Sequence, residues 1–219
     1  MRSRLSAFQL EVLDAFFRRA DGFFLTGGAA LAGFHLGHRE TQDLDLFTDE
    51  DRLDEGVAAL RAVADELGAS IESLRTSPDF RRFLLRRSGD AVVVDLARDR
   101  APQGTQPKPL WEAGPLRVDP AGEILANKLA ALLGRGEVRD LVDVRALLRA
   151  GVGFDDAFTL AERKDGGLTA AQLSWVLSQI RIEDGASIPG AVSPAELRAF
   201  LDELVAQLAR RAFPPGDFR

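Results

Sequence analysis

Asp43 and Asp45 stand two residues apart in the segment DLDLF, with leucines between and after them. In an extended strand, residues i and i+2 point to the same face, so the two carboxylates project together while Leu44 and Leu46 pack behind them. Two acids converging on one poorly solvated point repel each other, and a divalent cation is the usual partner that makes both ionised forms tolerable. The same alternation would also describe a strand with a solvated acidic face, so the pair is a candidate metal site with a bland alternative. VVVDLARD places Asp95 near the end of another strand-like run. If that strand neighbours the first, three carboxylates form the kind of two-metal centre that drives in-line phosphoryl or nucleotidyl transfer. Otherwise Asp95 is a strand-end acid.

Gly27-Gly28 precedes the acid pair, between the apolar run FFLT and the helix-like ALAGFHL. Glycine allows a tight turn and close approach of a ligand, and the free N–H groups of a following helix attract phosphate. Strand, Gly-Gly, helix and then D-L-D is a more specific combination than either half. Lys128, one of three lysines in the chain, falls inside the apolar arc of its helix with Ile124, Leu125, Leu129 and Leu132. It either snorkels past its neighbours or points inward as a phosphate ligand. Asp140 lies at the edge of the next helix's apolar arc, whereas Asp143 plots further outward and Arg145 lands inside the arc.

The elements that must position these groups follow from periodicity and punctuation. A helix over residues 5–20 leads through Asp21-Gly22 into a strand at Phe23–Leu25, then a helix at 29–36 and a strand at 43–47. TDED offers a cap and acidic first turn for a helix ending at Leu67. SIESLRT, FRRFLLRR and AVVVDLA read as strands, the last two joined by the hairpin residues Ser88-Gly89-Asp90. APQGTQPKP, 101–109, is a Pro-rich connection, and Leu116–Val118 a short strand. Five helices follow, near 121–134, 138–150, 154–164, 169–181 and 193–212. The predicted class is α+β: an α/β domain with a mixed sheet over 1–118 and a helical domain over 119–219.

Composition narrows the chemistry. With 46% hydrophobic residues in 219 the chain can bury a real core. It has no cysteine and only His35 and His38 as imidazoles, so a metal would be held mainly by carboxylates, as hard ions such as Mg²⁺ are. No apolar run approaches the roughly 20 residues that span a bilayer. Gln9, Glu11 and Asp14 interrupt the N-terminal apolar pattern, so a cytoplasmic protein with no membrane partner is expected. Residues 1–118 carry 16 basic and 19 acidic side chains and the remainder 12 and 15, giving −3 for each part. Neither half is a basic nucleic-acid module, and an RNA partner would need local patches. Arg81, Arg82, Arg86 and Arg87, or Arg210 with Arg211, are the candidates, each equally readable as solvated surface arginines.

GGAALAGFHLGHRETQDLDLFT, the strand acid of VVVDLA and EILANKLAALLGRGEVRDLVDVRALL together resemble the AbiEii/AbiGii-type nucleotidyltransferase toxins of bacteria, within the polymerase-β-like nucleotidyltransferase superfamily. The resemblance covers about residues 20–150, with the last 60 matching only as a generic helical tail. It implies a polymerase-β-like core and Mg²⁺, two ions where Asp95 joins Asp43 and Asp45. A nucleoside triphosphate would be the substrate, with its phosphates on Gly27 and Gly28. It further implies that Lys128 and Asp140 complete the active site and that Arg39, in LGHR, lies near the triphosphate, while His38 serves packing or loop hydrogen bonding. Ala29 departs from the Ser or Thr that many relatives carry after the glycines. Within such families the acceptor is often RNA, in several the tRNA 3′ end, with a toxin's biology and an antitoxin encoded nearby as partner. A small-molecule acceptor, as in antibiotic-modifying enzymes, and a non-catalytic nucleotide-binding protein remain open alternatives.

Overall fold

The computed structural model describes residues 3–101, 104, 116–213 and, as backbone alone, 108–109. Most of the predicted APQGTQPKP connection lies outside the described residues. The chain forms two compact units, the first comprising Met1–Arg100 with Thr105–Pro120 and the second Ala101–Gly104 with Ala121–Arg219.

In the first unit α1 (Ala7–Phe17) is opened by a reciprocal cap: the Ser6 hydroxyl accepts from the Gln9 N–H, and the Ser6 N–H donates to the Gln9 side chain. β1 (Phe24–Thr26) runs into α2 (Gly27–Ala30), which widens into a π-helical turn over Leu31–His35. β2 (Asp43–Thr48) and α3 (Leu53–Leu67) follow, then β3 (Ser70–Ser77), β4 (Phe80–Arg87) and β5 (Asp90–Arg98), and the short β6 (Lys108–Pro109) and β7 (Arg117–Val118). α3 departs from the predicted capping: it starts after Arg52 with no side-chain cap bond, and its first-turn acids are Asp54 and Glu55 rather than the TDED residues.

The seven strands lie in the order β3-β4-β5-β2-β1-β7-β6, a mixed sheet in which β2 runs parallel to β5 and antiparallel to β1. Period-two alternation divides it cleanly. Leu44, Leu46, Phe83, Leu85, Val92, Val94 and Leu96 are buried on the face packed by α1 and α3. There Phe16 meets Phe17 and Phe23 edge-to-face at 5.6 and 5.4 Å, each such side chain contributing about 1.5–3 kcal/mol through burial. The opposite face carries Asp43, Asp45, Asp95, Arg82 and Arg86 among the apolar Phe47, Phe80, Leu84 and Val93. Ser88 and Gly89 both have positive φ (49° and 91°), a two-residue hairpin turn that pairs Arg87 with Asp90 and thereby sets the register of β4 on β5.

The second unit is all helical among its described residues: α4 (Ala121–Arg135), α5 (Val138–Arg149), α6 (Phe154–Lys164), α7 (Ala170–Ser178) and α8 (Pro194–Ala212). α4 packs on α5, α6 and α7, and α8 closes over α5 and α7. Ser193 and Glu196 form a second capping box, with Pro194 in the first turn, where its missing N–H costs nothing. Lys164 and Glu123, almost fully buried, pair at 3.0 Å between α6 and α4.

Candidate active site

The polar face of the sheet collects its functional side chains by register. Thr26 of β1 stands opposite Asp45 of β2, Asp45 beside Asp95 of β5, and Asp95 opposite Arg82 of β4. Laterally paired residues share a face, so Thr26, Asp45, Asp95 and Arg82 form one row across four strands, with Asp43 two residues along β2 on the same face. The strand adjacency that Asp95 needed is therefore present. Asp43 and Asp45 are half-buried, while Asp95 is only 4% exposed.

Gly27 completes one end of the row. Its φ of +63° is a left-handed conformation, and a Cβ built there would overlap the Asp45 carboxylate. The residue is glycine for both reasons: the turn between β1 and α2 and the seating of Asp45 directly on the backbone. Beside it, a Cβ on Gly28 would lie 2.9 Å from Arg39 Nη2 and 3.2 Å from Thr41 Oγ1. Arg39, 7% exposed, is thus laid against the second glycine and donates 2.9 Å to the Glu40 carbonyl. The loop leading to Asp43 is tied down by Gln9, whose amide donates to the Thr41 carbonyl at 3.0 Å. His35 Nε2 lies 2.8 Å from the Asp119 carbonyl, a hydrogen bond in which that nitrogen carries the proton.

Arg82 is the residue that the sequence reading assigned only to a surface patch. Its Nε and Nη2 donate to the two Asp95 oxygens at 2.7 and 2.6 Å, a planar fork on a buried carboxylate. The hydrogen bonds that Arg82 donates to Asp95 push the guanidinium pKa up, and the negative charges of Asp43 and Asp45 add to the effect. Alternation along β4 also breaks up the proposed arginine patch: Arg82 and Arg86 point to the polar face, whereas Arg81 and Arg87 point to the helices. Arg87 pairs with Glu11 at 2.6 Å and lies over the Phe8 ring, its Cζ 4.5 Å from the centroid. Thr26 was also missed; its hydroxyl is buried and makes no hydrogen bond among the described residues.

Lys128 and Asp140 belong to the helical unit and are brought together there. The ammonium donates to Asp140 at 2.8 Å and pairs with Asp143 at 2.8 Å, and Arg135 adds bonds of 2.7 and 3.0 Å to Asp140. Asp143 corrects the helical-wheel expectation: it is fully buried, not outward, because Lys128 gives it a partner inside the apolar arc. Burial works against the Lys128 ammonium, but Asp143 and Asp140 outweigh it and its pKa lies above the ordinary lysine value. Burial likewise opposes the Asp140 charge, yet the Arg135 hydrogen bond and Lys128 hold its pKa below the ordinary value. Arg145, also flagged by the wheel, pairs at 3.4 Å with Glu196.

Asp43 and Asp45 suit a hard divalent ion: two half-buried carboxylates on one face, supplying oxygen and no sulfur. Both oxygens of Asp95 accept from Arg82, one bond each. Among the described residues no three His, Asp or Glu side chains are grouped to hold a metal, and no helix is long and apolar enough to cross a membrane.

The chain matches a family model described as "Nucleotidyl transferase AbiEii toxin, Type IV TA system" over residues 11–214, so the likeness extends well past the 20–150 span legible in the motifs. Among solved structures it resembles a proposed nucleotidyltransferase from H. pylori, with TM-score 0.61 and 16% identity over 94% of this chain and 97% of that one. A second, JHP933 from Helicobacter pylori, gives 0.56 and 16% over 95% and 96%. These likenesses establish a shared fold. No curated protein matches.

Proposed function

Because the chain belongs to the AbiEii family of nucleotidyltransferase toxins, we propose that it transfers a nucleoside monophosphate from a nucleoside triphosphate to a hydroxyl of RNA, the tRNA 3′ end, with a cognate antitoxin as partner. The observation that carries this reading is the seating of the Asp45 carboxylate on the Gly27 backbone, where the Gly-Gly turn opens α2. A phosphate bound by the turn and a cation bound by the acids would meet at one place. Mg²⁺ held by Asp43 and Asp45 would neutralise charge on the phosphates during transfer. Gly27 and Gly28 would offer the turn's N–H groups to phosphate oxygens, and Arg39, which lies against Gly28, would add a guanidinium. The acceptor oxygen bonds to the α-phosphorus as the bond to the bridging oxygen of pyrophosphate breaks, and the hydroxyl proton passes to a carboxylate of the acidic row. Lys128, which the family resemblance assigns to catalysis together with Asp140, is held in its charged form within the helical unit by Asp143 and Asp140.

The test is incubation with Mg²⁺, total bacterial tRNA and each α-³²P-labelled nucleoside triphosphate in turn. Label on tRNA with wild type and not with Asp45→Asn supports the reading; label that survives the substitution defeats it. A second reading, a small-molecule acceptor, draws on the division of the hairpin arginines between two faces, which turns Arg81 and Arg87 to the helices and leaves Arg82 and Arg86, with Arg75 of β3, on the polar face. Label on an aminoglycoside and not on tRNA would favour it.

A further inference from the structure

A carboxylate gripped by a bidentate guanidinium has one in-plane lone pair of each oxygen engaged, and a divalent ion added beside it would meet the repulsion of the arginine and compete with it for the same negative charge. Asp95 is in that state. Its side chain is 6% exposed, both oxygens accept from Arg82, and the register that places Asp95 beside Asp45 equally places Arg82 beside Asp95. The arginine is anchored from three sides. Its strand is locked to β5 by the Ser88-Gly89 turn, Asp95 fixes its plane, and its guanidinium lies 5.8 Å from the Phe80 ring centroid.

We propose that Arg82 is a positioning residue that takes the place of a second metal ion: held by Asp95, it supplies a fixed positive charge beside Asp43 and Asp45, and the site binds one divalent ion. Asp95 therefore serves as the arginine's anchor and not as a metal ligand. This rests on the reading above that Asp43 and Asp45 bind a divalent cation, and the experiment separates the two.

Mn²⁺, added to the full-length protein without nucleotide, is titrated by the electron paramagnetic resonance signal of the free ion. Wild type is expected to bind one Mn²⁺ per chain, and Asp45→Asn to lose it. Arg82→Gln frees Asp95 and is expected to bind two. Arg82→Gln combined with Asp95→Asn is expected to return to one. Wild type that binds two ions, one of them lost in Asp95→Asn alone, overturns the inference, as does an Arg82→Gln isotherm that superimposes on wild type. Should Arg82→Gln fail to fold, as judged by circular dichroism, Arg82→Lys carries the test: it keeps the charge, so one ion per chain is expected and two would overturn the proposal. If Asp45→Asn binds Mn²⁺ as wild type does, the cation reading itself has failed.

Discussion

Two sets of carboxylates in this chain have opposite surroundings. On the sheet, Asp43 and Asp45 are half-buried on a polar face, set by strand alternation and by the glycine turn. In the helical unit, Asp140 and Asp143 are fully buried and answered by Lys128 and Arg135. A half-open acidic pair retains solvation and can exchange water for a ligand. A buried cluster with matched charges is costly to disturb, since removing one partner leaves another charge without its counterion. The difference separates a half-open acidic pair from a cluster that holds its fold, even though the family resemblance implies a catalytic role for Asp140 as well as for Asp43 and Asp45.

The largest effect that would sharpen the contrast is on rate. Asp45→Asn is expected to lower nucleotidyl transfer by at least about a thousandfold with an unchanged melting temperature; a marked fall in melting temperature would give Asp45 the structural role reserved here for the helical cluster. Lys128→Ala should do the reverse first, costing about 3 kcal/mol of stability by leaving Asp140 and Asp143 buried, which urea denaturation measures. A loss under about 1 kcal/mol would erase the distinction.

The same cluster predicts a pH dependence. Asp140's depressed pKa contributes stability that is present above the ordinary aspartate value of 3.8 and lost as pH falls through the lower folded value. Lys128's raised pKa contributes stability present below its ordinary value of 10.5 and lost as pH rises through the higher folded value. Relative to Asp140→Asn, wild-type melting temperature should fall more steeply in acid; parallel curves would contradict it.

Gly27→Ala combines the left-handed conformation with the displaced Asp45 carboxylate, so about 1–2 kcal/mol of stability and about a hundredfold in rate are expected to go. Unchanged kinetics would show that Asp45 need not sit on the turn. Smallest is Ser6→Ala, which removes one α1 cap for about 1 kcal/mol and should leave transfer rates alone.

How much of this was legible in the residues depended on which physical rule wrote it. Period-two alternation wrote Asp43 and Asp45 onto one face, and β2 keeps that pattern. Strand order is not written locally, so the place of Asp95 beside Asp45 had to come from the fold. The Arg82–Asp95 pair was within reach: once Ser88-Gly89 is the two-residue turn, counting back from Arg87 and forward from Asp90 puts 82 opposite 95. Treating the arginines as a cluster along the chain, and not as alternating positions, hid it. Asp143 was misplaced because a helical wheel weighs hydrophobicity alone, and a buried ion pair satisfies the interior without it. The widening of α2 into a π-helical turn left no sequence signal we can identify.

The last strand of the sheet arrives late. β1 takes its outer neighbour from β7, with Leu25 beside Val118 and the Asp119 N–H donating to the Leu25 carbonyl at 2.9 Å, so the segment carrying the glycine turn keeps an open edge until more than half of the chain has been synthesised. On the ribosome, the outer edge of β1 waits for its partner until residue 118 has emerged, so the strand that leads into the glycine turn is among the last parts of the sheet to be secured.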